Sequence, residues 1–89
     1  MILLVIQHSL DNYDAWRANF DAGLPILERH GVVRADVHRG ADDENNVLVI
    51  LRIPSREQAY ALIEDRERND RFDHAGFRAF SSQIQLYVE

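Results

Sequence analysis

The chain has 89 residues, room for a single domain spanning 1–89. Fifteen acidic residues against ten arginines and no lysine give a formal charge of −5, which excludes the basic face that a nucleic-acid or anionic-membrane binder needs. No cysteine is present, so disulfides and cysteine-rich zinc sites are excluded too.

A domain this short buries only roughly 60–65% of its unfolded surface, so a partner subunit is the expected source of added stability. The longest apolar run, Met1–Ile6, is too short to span a bilayer and has no basic residue before it. These features predict a cytoplasmic protein with no membrane and no nucleic-acid partner.

Residues 1–8 (MILLVIQH) form a continuous β-prone run, the pattern of a strand buried on both faces. A first helix follows, with Asp11 as its predicted N-cap and Asp14 adding negative charge to the first turn. Tyr13, Trp16, Phe20, Leu24 and Leu27 recur at spacings of three and four, one apolar stripe wide. Pro25 interrupts that stripe, because its ring clashes with the carbonyl of Asp21 in a regular helix. The expectation is a kink, or a break at Gly23 with Pro25 opening a second short segment. Gly31 is placed to end it with a left-handed cap, and His30 puts a cation near the helix C-terminus.

Residues 32–39 (VVRADVHR) alternate, with Val33, Ala35 and Val37 opposed to Arg34, Asp36 and His38. The polar, acidic stretch 40–46 (GADDENN) reads as a hairpin loop, in which Arg39 is expected to pair with Asp42 or Asp43. Residues 47–53 (VLVILRI) form a second doubly apolar strand. Ser55-Arg56-Glu57-Gln58 spells a capping box, and Ala59, Leu62 and Ile63 give the next helix its buried face. The charged run 64–71 reads as a solvated face, with Phe72 and Ala75 bringing apolar groups back and Gly76 as a stop. Residues 83–89 (QIQLYVE) alternate as a last strand.

Two doubly apolar strands belong inside a sheet, and two alternating strands at its edges. That burial pattern matches a ferredoxin-like α+β fold, βαββαβ, with an antiparallel sheet of order 4-1-3-2.

Four histidines attract attention: His8, His30, His38 and His74. With the third strand between theirs, His8 and His38 are expected to lie roughly 10 Å apart, too far to share one metal ion easily. No helical His/Glu pair at ligand spacing is present, so no metal site is expected. His8 ends its strand just before the helix, where a neutral imidazole can act as a base toward a cavity, or simply bond a neighbouring loop. Trp16, Phe20, Tyr13 and Tyr60, with His38, are candidates for a pocket that takes a flat, apolar ligand, although helical spacing equally makes the first three core. Arg39 is a candidate for stabilising developing negative charge.

The string His8-Ser9-Leu10-Asp11-Asn12-Tyr13-Asp14-Ala15-Trp16-Arg17 resembles a pattern, roughly His-x-Val-x-Asp-Tyr-x-x-Trp, of the dimeric α+β barrel superfamily, near its antibiotic biosynthesis monooxygenase-like group. Arg39-Gly40-Ala41-Asp42-Asp43 resembles the second hairpin of these proteins, and Ala75-Gly76 the approach to their last strand. Leu10 stands where the pattern has Val, and Glu44 where Pro is frequent. The resemblance spans nearly the whole chain. It implies a homodimer with two sheets packed face to face and the helices outside. Among the relatives are cofactor-free quinol-forming monooxygenases, haem-degrading enzymes, polyketide cyclases and lactone isomerases. Ala61, Leu62 and Ile63 occupy the region where the haem-degrading branch carries a catalytic Trp, and His74 is two residues out of register with its axial histidine, so no haem and no other cofactor is expected.

Three functions fit. One is a cofactor-independent oxygenase or cyclase on an aromatic or polyketide-like molecule, with His8 as base, Trp16, Phe20 and Tyr60 as wall, and Arg39 as charge stabiliser. The others are an isomerase using the same pocket and a non-catalytic dimeric module that binds a small ligand or another protein. One observation separates them: whether His8 points into a closed cavity of at least ~300 Å³, the first reading failing if His8 points to solvent and the space between the layers is filled.

Overall fold

The computed structural model describes residues 1–69 and 83–89. In chain order the elements are β1 (Ile2–Ser9), α1 (Tyr13–Ala22), α2 (Leu24–Arg29), β2 (Arg34–Arg39), β3 (Asn46–Ile53), α3 (Arg56–Asn69) and β4 (Gln83–Val88). The strands form one antiparallel sheet of order β2-β3-β1-β4, the ferredoxin-like arrangement with the doubly apolar strands at its centre. Gly76, Phe72, Ala75 and His74 lie outside the described residues.

β1 and β3 pair over eight residues, from Ile2 opposite Ile53 to Ser9 opposite Asn46. Side chains alternate between faces along a strand. Ile2, Leu4, Ile6 and His8 therefore share one face with Val47, Val49, Leu51 and Ile53, and all eight are buried. The helices cover this face, contributing Trp16, Phe20, Leu27, Ala59 and Leu62 to the core. The other face carries Leu3, Val5 and Gln7 beside Leu48, Ile50 and Arg52, none of them fully buried. Among the described residues, the expectation that both faces of β1 and β3 are buried thus holds for only one face. No described element lies over the second.

The helices begin and end where local chemistry requires. Asn12, not Asp11, is the N-cap of α1: its extended backbone lets the side-chain oxygen accept from the Ala15 amide at 3.1 Å. Position 11 lies one residue too early for that bond. Of the two expectations at Pro25, the break is found. α1 ends at Ala22, Gly23 joins the segments, and Pro25 sits in the first turn of α2, where its missing N–H leaves no bond unmade. At the head of α3, the Gln58 amide donates to Ser55 Oγ at 3.2 Å, and the two side chains meet at 3.0 Å. His30, at the end of α2, reaches across to Asp65 of α3 at 3.2 Å.

Gly31 follows with φ at +92°, a backbone conformation that L side chains rarely adopt, and an added Cβ would meet Gln58 Nε2. Gly31→Ala is therefore expected to destabilise the fold by about 1–2 kcal/mol in urea titrations. Measured against Gln58→Ala alone, which removes the clash but also the Ser55 contact, Gly31→Ala should still cost the backbone part. Full recovery in the double variant, or no loss in the single, would contradict a backbone origin.

Candidate functional site

His8 is the only buried polar residue among the described residues, 3% exposed, and an unpartnered imidazole there would cost several kcal/mol. It is not without a partner. Two features hold it in place: the β1–β3 register, which sets it opposite Val47, and the ring of Trp16, whose centroid is 6.0 Å away at a tilt of 59°. Trp16 in turn stacks on Phe20 at 5.2 Å and meets Tyr13 at 5.9 Å. The three-and-four spacing read as a core stripe is thus also an aromatic row beside the histidine. Such contacts contribute about 0.5–1.5 kcal/mol each beyond area burial.

His8, Trp16 and Phe20 line one cavity between the sheet and the helices. Its floor comes from Leu4, Ile6, Val49 and Leu51, and its sides from Leu27, Leu62, Ile63 and Ile84. The cavity measures about 40 Å³, far below the ~300 Å³ expected of a site that encloses a drug-sized molecule. Ile63 is half-buried and Ile84 is 38% exposed, which puts these two at the rim. Sequence reasoning did not single out Leu27, Ile63 or Ile84 as site residues. Ile84 had a readable signal: its alternation with Gln83 and Gln85 sets it on the face of β4 that looks toward the helices, opposite Ile6.

Arg39 pairs with Val47, as His8 does from the other side, so Arg39, Val47 and His8 form one row across the helix-covered face. Two strand spacings separate Arg39 from His8, about 10 Å between backbones. The Arg39 guanidinium lies 3.7 Å above the centre of the Tyr13 ring, and its Nε donates to the Glu44 carbonyl at 3.0 Å. Its acidic neighbour is Glu44, at 3.8 Å, and not Asp42 or Asp43 as the sequence suggested. The hairpin turns back so that Gly40 N–H bonds Asn46, which leaves Glu44 nearest the arginine.

Two expected pocket residues lie elsewhere. Tyr60 is 54% exposed on α3 and does not line the cavity. His38 is exposed and points to the opposite face of the sheet, paired with Leu48, where it lines a shallow groove of about 300 Å³ with Gln7 and Asn46. The sheet itself, rather than lateral distance, separates His38 from His8. Among the described residues no cluster of three or more metal-ligating side chains occurs, and no helix is long and apolar enough to cross a membrane.

No protein-family model and no curated protein matches the sequence. Solved structures do match. A protein from Bordetella bronchiseptica named after the antibiotic biosynthesis monooxygenases superposes with a TM-score of 0.78 at 10% identity, covering 99% of this chain and 95% of that one. SnoaB, a cofactor-independent oxygenase from Streptomyces nogalater, gives 0.77 at 13% identity over 99% and 91%. The fold is that of the antibiotic biosynthesis monooxygenase-like proteins. A dimeric ferredoxin-like protein from an uncultured marine organism also shares it, with a TM-score of 0.66 at 9% identity over 100% and 94%. At these identities the likeness concerns fold, and the chemistry has to be argued from the side chains.

Trp16 is the only tryptophan and is 2% exposed, so its fluorescence reports the site directly. Its emission should lie to the blue of free tryptophan and resist acrylamide quenching. Quenching as efficient as that of free tryptophan would contradict the buried aromatic row.

Proposed function

We propose that the chain acts as a homodimer in which each protomer carries a cofactor-independent oxygenase site for an aromatic or polyketide-like small molecule, with His8 as the base. The observation that supports this most is the burial of one imidazole in the wall of an apolar cavity beside Trp16 and Phe20. Proton abstraction next to a carbonyl or phenol ring needs a base whose surroundings exclude water, so that the carbanion meets oxygen before it is reprotonated. The balanced reaction is R₂CH₂ + O₂ → R₂C=O + H₂O: His8 takes a proton from carbon, the carbanion's electrons pass to dioxygen, one oxygen atom stays on carbon and the other leaves as water.

Trp16 and Phe20 supply the flat wall against which a ring stacks. Entry of a ring requires Ile63 and Ile84 to swing aside, since 40 Å³ does not admit one. Arg39 acts from the far end of the same row as a fixed positive charge, held by Tyr13 and the Glu44 carbonyl. Tyr60, on the solvent side of α3, has no part in the wall.

The dimer is supported by the second face of the sheet. Leu3, Val5, Leu48, Ile50 and Tyr87 make its centre apolar, while Gln7, Gln83, Gln85, Asp36 and His38 surround it. Leu48 and Tyr87 are 36% and 48% exposed, so a second copy would remove apolar area from water there at about 25 cal/mol per Å².

A second reading, a non-catalytic dimeric module, is favoured by the small cavity. Oxygen uptake separates the two. With a panel of enolisable phenols and anthrone-like ketones, the wild type should consume oxygen without added cofactor, and His8→Gln should lower the rate by about 10²–10⁴-fold. Uptake unchanged in His8→Gln removes His8 from the chemistry, and no uptake with any member of the panel leaves the module.

A further inference from the structure

α2 is the least anchored wall of the cavity. The floor is fixed by the β1–β3 ladder, and α1 by its Asn12 cap and the stacked pair of Trp16 and Phe20. α2 has six residues, of which only Leu27 is buried, and no side chain caps its N-terminus. A helix that short has little stability of its own. Glycine stands at each end of it, Gly23 before Leu24 and Gly31 one residue past the His30 cap. Such residues absorb the backbone rotations that a moving segment needs.

What holds α2 down is α3. Gln58 lies against Gly31, and two turns further along α3 Asp65 meets His30 Nε2 at 3.2 Å. His30 follows Leu27 by three residues and Asp65 follows Leu62 by three, so each polar partner sits beside a leucine of the cavity wall. The contact therefore sets how far apart Leu27 and Leu62 stand. Swinging Ile63 and Ile84 aside clears the rim, but room for a ring also needs one wall to withdraw.

We propose that α2 is a lid, hinged at Gly23 and Gly31 and latched by His30 and Asp65, that lifts Leu27 out of the wall to admit a ring. The purpose of admitting a ring beside His8 rests on the oxygenase reading. The motion of α2 rests on the hinges and the latch alone.

Hydrogen exchange on the full chain reads the motion without a ligand. The amides of Ile26 and Leu27 both bond the Gly23 carbonyl, so they are freed when α2 lifts. Asp65→Asn and His30→Gln weaken the latch from either side. Each should speed the exchange of these amides about 3–10-fold and leave the β1 and β3 amides unchanged. Equal acceleration in α2 and in the sheet, or none in α2, overturns the lid. Its role as a gate is read with 4-nitrophenol, a phenol that quenches tryptophan, by stopped-flow of Trp16 emission. The chain has no cysteine of its own, so His30→Cys together with Asp65→Cys can be joined by a bismaleimide across the latch. Joining should slow saturable quenching about 10-fold or more relative to the unjoined double variant. Equal rates in the two, or quenching of the unjoined variant that does not saturate, overturn the gate. A gated phenol with no oxygen uptake on any substrate supports the lid and removes the oxygenase reading.

Discussion

The eight-residue pairing of β1 with β3 sets every other position in the molecule. Because side chains alternate with a period of two, a slip of one residue would send Leu4, Ile6 and His8 to the uncovered face and bring Leu3, Val5 and Gln7 under the helices. Such a slip would exchange buried hydrocarbon for a buried amide and move the imidazole into water. The observed register instead places His8 against Val47, with Arg39 on Val47's other side, and lays Trp16 over the histidine. The site is in this sense a consequence of sheet register, with the Asn12 cap aiming α1 so that its aromatic stripe meets the row.

The same pairing creates two apolar faces from one sheet. The described helices cover one of them, where they pack over the core and wall the cavity. A strand apolar on both sides but covered on one has an unmet hydrophobic demand, and a domain of this size has little stability to spare. The uncovered face of β1 and β3 thus links the compact core to the proposed assembly, while His38 and the groove beside Gln7 belong to that face and not to the His8 site.

Much of this was legible in the sequence because periodicity is a strong signal. The continuous apolar runs gave the central strands, the alternating runs the edges, and Gly23-Leu24-Pro25 the break between α1 and α2. The placement of His38 was legible too: the alternation of Val33, Ala35 and Val37 against Arg34, Asp36 and His38 already put His38 away from the core and Arg39 toward it. Grouping His38 with the pocket ignored that parity. Other features were not readable. The partner of Arg39 depends on how the 40–46 hairpin folds back, and the exposure of Tyr60 depends on the rotation of α3 about its axis, which Ala59 and Leu62 fix by packing. Cavity volume depends on the rotamers of many side chains at once, so composition says nothing about 40 versus 300 Å³.

If one sheet face builds the site and the other the assembly, the mass in solution tests the division most directly. Sedimentation equilibrium at micromolar concentration should give twice the chain mass of 10.3 kDa. Ile50→Arg, which places a charge at the centre of the uncovered face, should return the mass to that of one chain while Trp16 keeps its buried emission. A wild-type protein that sediments as a monomer would contradict the account.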